Sequence, residues 1–117
     1  MYNPVEEFKL LLMEMAELYE LKNKDYGSAI ERGMDKLGNM YIASMIFNKT
    51  ERFLNLVNKS EEDINFESLE DTLMDLAVYA TEGLRVMQKQ RSEREAENKE
   101  NLYKLYEDSA EDNTTEE

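Results

Sequence analysis

The stretch FESLEDTLMDLAVYATEGLRVMQKQ, residues 66–90, decides the fold class. Leu69, Leu73, Leu76, Ala80, Leu84 and Met87 recur at spacings of three and four, which lays an apolar stripe along one side of an α-helix. A strand would need alternation of period two, and no segment of the chain shows it. Asn65 or Ser68 can cap the helix start. Nearly opposite the stripe, Glu67, Asp71 and Asp75 form a ridge over roughly 80° of the helical wheel, and Glu82 falls within it. Carboxylates four residues apart repel one another unless a cation sits nearby, so the ridge reads either as a solvated face or as a cation-binding one. Met74 and Val78 border the ridge away from the main stripe. Apolar residues on two sides of one helix predict a second packing partner, such as another subunit.

Working outward, residues 39–57 read as another helix, with Met40, Ala43, Ile46, Phe47, Thr50, Phe53, Leu54 and Val57 as core candidates. Asn58 to Phe66 is a polar connection. At the start, Asn3 can cap a helix over 4–23, Pro4 fits its first position, and Glu6 and Glu7 suit the positive end of its dipole. Val5, Phe8, Leu11, Leu12, Met15, Leu18 and Tyr19 follow helical spacing over a wide face, which predicts a well-buried helix. Gly33 and Gly38 interrupt residues 29–38, which read as a loop with about one or two helical turns. The expected architecture is all-α: a helical bundle of three long helices plus a short or disordered C-terminal helix. A domain over 1–90 is followed by a charged helical extension over 91–106 and an acidic, disordered tail over 107–117, which has six acidic residues and no basic ones. Leu102, Tyr103, Leu105 and Tyr106 are the last apolar cluster.

Composition removes several chemistries. Among 117 residues there is no Cys and no His, so there is no thiol nucleophile, disulfide frame or imidazole base, and zinc lacks its usual ligands. Carboxylate oxygens remain, and they suit Mg2+ or Mn2+. The formal net charge of −13 disfavours direct binding to nucleic-acid backbones. No apolar run is long enough to span a membrane, and no basic-then-apolar leader opens the chain, so a cytoplasmic protein is expected.

Two further clusters carry candidate chemistry. Lys49 and Arg52 lie three apart on one face of the 39–57 helix, placed to meet phosphate, to pair with the acidic ridge, or simply to be solvated. Lys22-Asn23-Lys24-Asp25-Tyr26-Gly27 gathers cations, an amide, a carboxylate and a ring at a helix end. It reads as a C-terminal cap with Gly27 left-handed, or as a place to hold a base against Tyr26.

In order along the chain, Lys22-Asn23-Lys24-Asp25-Tyr26-Gly27, then Asn48-Lys49-Thr50-Glu51-Arg52 with Asn55-Leu56, then Glu67 through Ala80 resemble the nucleotide modification associated domain type 1 family, a mostly phage and bacterial group. That family is similar in turn to the all-α nucleoside triphosphate pyrophosphatases, the MazG-like and dimeric dUTPase-like proteins. The resemblance covers roughly residues 5–88. It implies a MazG-like bundle, a homodimer or higher homo-oligomer, and magnesium-dependent cleavage of a nucleoside triphosphate to the monophosphate and pyrophosphate. It also implies roles. Asp71 matches the acid of the metal motif, with Glu67 and Asp75 as its companions on the metal. Asp71, Glu67 and Lys49 would be the catalytic set. Lys49 and Arg52 would face the phosphates, and Asn23, Asp25 and Tyr26 would lie near the nucleotide. The chain departs from the pattern at Met45 and Asn48, where the related proteins carry an Arg and an Asp. The metal half-site on the 39–57 helix is then missing unless Glu14 and Glu17 complete it. Weak metal binding and slow or absent turnover are expected. The competing expectation is a small acidic phage protein that binds and inhibits a host defence or nucleic-acid-binding protein in the host cytoplasm; its size, charge and acidic end fit that role.

Overall fold

The computed structural model of the chain describes residues 1–26 and 28–114, and among these the side chains of all but 24–26 and 111–114. Every long element among the described residues is helical, and no strand occurs. Helix α1 spans Pro4–Tyr26, α2 Ala29–Leu37, α3 Asn39–Val57 and α4 Phe66–Thr114, with a 3-10 turn at Glu61–Asp63 before α4. No helix of the described residues is long and apolar enough to cross a membrane.

Local chemistry sets most of the helix ends. The amides of Val5 and Glu6 donate to Asn3 Oδ1 at 3.1 and 3.3 Å, which satisfies two donors the first turn of α1 would leave orphaned. Asn65, rather than Ser68, caps α4: its Oδ1 accepts from the Ser68 amide at 3.2 Å. Residues 29–38, expected as a loop with a turn or two of helix, instead hold a nine-residue helix. Gly38 ends it with φ 70°, a conformation a glycine adopts without steric cost, and its amide closes on the Met34 carbonyl at 2.8 Å.

The chain divides into two units, Met1–Leu84 and Arg85–Glu117. In the first, α2 packs on α3, where Gly33 leaves room for the Tyr41 ring: a Cβ on Gly33 would stand 2.5 Å from Tyr41 Cε1. On the other flank, the first turn of α3 meets α4 at Gly83, whose Cβ position lies 2.9 Å from Ile42 Cγ1. The second tie between these helices is the Lys49–Asp75 ion pair, 2.9 Å from Nζ to Oδ2. Ile42 opposite Gly83 and Lys49 opposite Asp75 define one antiparallel register, so the face of α3 bearing Ile42, Met45 and Lys49 looks onto the face of α4 bearing Asp75, Tyr79 and Gly83.

That register turns α4 away from its expected stripe. Thr72, Glu82 and Gly83 are buried, whereas Leu73 and Leu84 are 50% and 56% exposed. The deciding factor is reach. Gly83 lets a β-branched side chain approach the α4 backbone closely, and the ion pair fixes the rotation about two turns away. Thr72 is tolerated inside because its hydroxyl donates to the Ser68 carbonyl at 2.7 Å. Helix α1 differs from expectation more strongly. Val5, Phe8, Leu11 and Leu12 remain exposed within the single chain, and only its second half, at Met15 and Tyr19, is partly covered. Ile42 and Leu56 are the buried residues of α3, while Met40, Phe47, Leu54 and Val57 are exposed.

The second unit is the remainder of α4. Helix continues through 107–114, where a disordered tail was expected; the last three residues of that tail, 115–117, lie outside the described residues. Beyond Gly83 the chain has no Gly or Pro, and Glu, Lys, Arg, Ala and Gln dominate, so nothing in the sequence stops the hydrogen-bond ladder. Every residue from 91 to 110 is exposed.

Candidate functional site

One cleft in residues 1–84 draws lining from all four helices and encloses about 430 Å³. Helix α1 contributes Met15, Leu18, Tyr19, Lys22 and Asn23; α2 contributes Ala29 and Ile30; α3 contributes Tyr41, Met45 and Lys49; and α4 contributes Met74, Asp75, Val78, Tyr79 and Glu82. Ser28, in the connection between α1 and α2, completes the wall. The volume lies within the range of small-molecule sites, and the lining has their usual make-up, apolar with a few placed polar groups.

Each polar group has a physical reason for its place. Lys49 and Asp75 are both half-buried, and each neutralises the other where the apolar wall would penalise a lone charge. Asn23 sits at the last turn of α1, where its Oδ1 accepts from the Ser28 amide at 3.3 Å. That bond holds Ser28 at φ 62° and ψ 34°, a left-handed conformation that is uncommon for a side-chain-bearing residue, and so sets how the chain turns into α2 beside the cleft. Three tyrosines, Tyr19, Tyr41 and Tyr79, come from three different helices; Gly33 makes room for the Tyr41 ring. Glu82 is 5% exposed at the same wall.

The structure sorts the residues singled out by sequence. Asn23, Lys49 and Asp75 come together at the cleft. Met74 and Val78, expected to meet a second packing partner such as another subunit, line the same cleft. Arg52 does not join Lys49; it lies on a shallow groove with Asn48, Glu51, Asn55 and Lys59. Glu67 and Asp71 are exposed and do not line the cleft that Asp75 reaches, and Glu14 and Glu17 are exposed as well. The side chains of Asp25 and Tyr26, and all of Gly27, lie outside the described residues.

Among the described residues no three carboxylates gather to hold a metal ion, and Asp75 Oδ2 is already engaged by the Lys49 ammonium. Tyr41 and Tyr79 were not anticipated, Tyr19 was expected only as a packing residue, and Glu82 was expected on the acidic ridge but not buried. Their signal was present in the 3–4 spacing of Asp75, Tyr79 and Glu82, but it was hidden by the stronger leucine stripe on the neighbouring face. No protein family, characterised protein or solved structure matches this chain.

Proposed function

We propose that the chain is a nucleotide-binding protein akin to the all-α nucleoside triphosphate pyrophosphatases, and that the cleft of residues 1–84 is its nucleotide site. The observation that carries this reading is the convergence of Asn23, Lys49 and Asp75, from three separate helices, on one cleft that also presents three tyrosines. A base has a flat apolar face, which aromatic rings and the thioethers of Met15, Met45 and Met74 can cover. Asp75 accepts hydrogen bonds from an amino group or a ribose hydroxyl, and the Asn23 amide donates. Lys49 supplies a cation for phosphate once its bond to Asp75 is exchanged; the pair keeps the lysine charged and in place until the anion arrives.

Hydrolysis to the monophosphate and pyrophosphate needs the charge of the transferring group to be neutralised. With Glu67 and Asp71 exposed and no group of three carboxylates among the described residues, this chain is expected to bind a triphosphate better than it cleaves one. The test is thermal melting with each common ribo- and deoxyribonucleoside triphosphate, with and without magnesium or manganese, alongside pyrophosphate release. At least one triphosphate should raise Tm, Lys49→Met should remove most of that rise, and pyrophosphate release should be slow or absent. A chain whose Tm responds to no nucleotide overturns the proposal.

The net charge of −13 favours a second reading, an acidic protein that covers the basic, nucleic-acid-binding surface of a host protein. It predicts no nucleotide response and a salt-sensitive complex with a basic partner.

A further inference from the structure

The Lys49–Asp75 ion pair stands at one end of the cleft wall that α3 and α4 build. Along α3 that wall runs from Tyr41 to Lys49, and along α4 from Met74 to Glu82. The two helices are antiparallel with Lys49 level with Asp75, so the wall begins at this pair and extends toward Tyr41 and Glu82. Met45 and Tyr79 stand about one turn along from the pair, a distance of about 6 Å. A charged end is therefore followed by a stretch of thioether and ring.

The pair offers a ligand two opposite handles at one point. Lys49 Nζ and Asp75 Oδ2 are 2.9 Å apart, and Asp75 Oδ1 has no hydrogen-bond partner among the described residues. A ligand that gives an anion to Lys49 and a donor to Asp75 must carry the two groups close together, because each hydrogen bond spans only about 2.7–3.2 Å. In a nucleotide the donors close to the phosphate belong to the sugar. The 3′-hydroxyl stands on the ring carbon beside the one that bears the 5′-phosphate arm. Every exocyclic amino group lies beyond the sugar, on the far edge of the base. With the phosphate at the pair, the base falls at the level of Met45 and Tyr79, where a flat apolar face finds its match.

Resting on the nucleotide reading of the cleft, we infer that Asp75 reads the 3′-hydroxyl of the sugar while Lys49 holds the phosphate nearest that sugar. Asp75 is then a specificity-determining residue. The ligand class is a nucleoside 5′-phosphate with a free 3′-hydroxyl. An ionised carboxylate only accepts hydrogen bonds. A sugar without the hydroxyl leaves its lone pairs facing carbon, and a 3′-phosphate sets anion against anion, so both are rejected.

The test is isothermal titration of the full chain with the 2′-deoxy- and the 2′,3′-dideoxynucleoside triphosphate of each common base. The two ligands of a pair differ only in the 3′-hydroxyl. Wild type should bind the dideoxy form about ten- to a hundredfold more weakly, the worth of a hydrogen bond to a charged group. In Asp75→Ala the ratio should fall to near one for the same base. The wild-type ratio decides by itself if that variant does not fold. Equal affinity of wild type for both ligands overturns the inference and leaves the nucleotide reading standing. Undiminished selectivity in a folded Asp75→Ala assigns the hydroxyl to another group and overturns it as well. A chain that binds no triphosphate overturns both.

Discussion

Gly83→Ala tests the register on which the candidate cleft depends. Helix propensity alone favours the substitution by about 1 kcal/mol, because alanine loses less backbone freedom than glycine. The packing opposes it. The new Cβ would lie 2.9 Å from Ile42 Cγ1, with Ile42 Cδ1 and Cβ at 3.6 and 3.7 Å. Carbon atoms prefer roughly 3.5–4.0 Å, so α3 and α4 must part by about 0.6–1 Å. Ile42 cannot swing aside: its Cγ1 is fixed by a β-branched rotamer in a helix, and the residue is 5% exposed. Overpacking of this kind costs about 1–3 kcal/mol, which leaves a net loss of about 1 kcal/mol and a Tm fall of roughly 4–8 °C for a unit this size. Ile42→Ala removes the obstructing atom, so in that background Gly83→Ala should raise Tm instead of lowering it. The four proteins of this double-mutant cycle can be melted by circular dichroism at one concentration. If Gly83→Ala stabilises the wild-type chain, or acts equally in both backgrounds, Ile42 and Gly83 are not in contact and the pairing of α3 with α4 is wrong.

Other expectations follow from single contacts. Asn65→Ala should cost about 1 kcal/mol through the lost cap of α4, whereas Ser68→Ala should cost less, since the Ser68 groups that bond in the structure are its backbone amide and carbonyl. Asp71→Asn should leave stability unchanged or raise it by about 0.2–0.5 kcal/mol, because it relieves repulsion from Glu67 and Asp75 on the same ridge. At constant ionic strength, magnesium alone should shift the Tm of wild type and Asp71→Asn equally. A magnesium-specific gain confined to wild type would establish a metal site on the ridge. Removing residues 107–117 should leave Tm unchanged, because that segment holds little apolar surface to bury. A large fall in Tm would mean that the segment docks on the rest of its own chain.

The exposed half of α1 bears on how much of this molecule one chain completes. Val5, Phe8, Leu11 and Leu12 continue the face that reaches the cleft at Met15 and Tyr19, yet each is 47% exposed or more. The periodicity that predicted a buried helix therefore identifies a face made for burial and does not name its cover.

What the sequence determined by itself was local. A helix depends on propensities and end chemistry within a few residues, so the Asn3 cap, the α3 span and the start of α4 at Phe66 were legible from the residues that make them. The absence of Cys and His limited the chemistry in the same direct way. The reading of residues 29–38 failed because the glycine penalty at Gly33 is offset by something 8 residues away, the Tyr41 ring it admits. Rotation of α4 was likewise a tertiary decision. Its leucine stripe was the stronger apolar signal, but the face that turned inward was chosen by the close approach at Gly83 and the ion pair of Asp75 with Lys49, 26 residues apart in the chain. Helical periodicity shows that a face exists; only the packing of one backbone against another, through its smallest residues and its paired charges, decides which face turns inward and which side chains meet there.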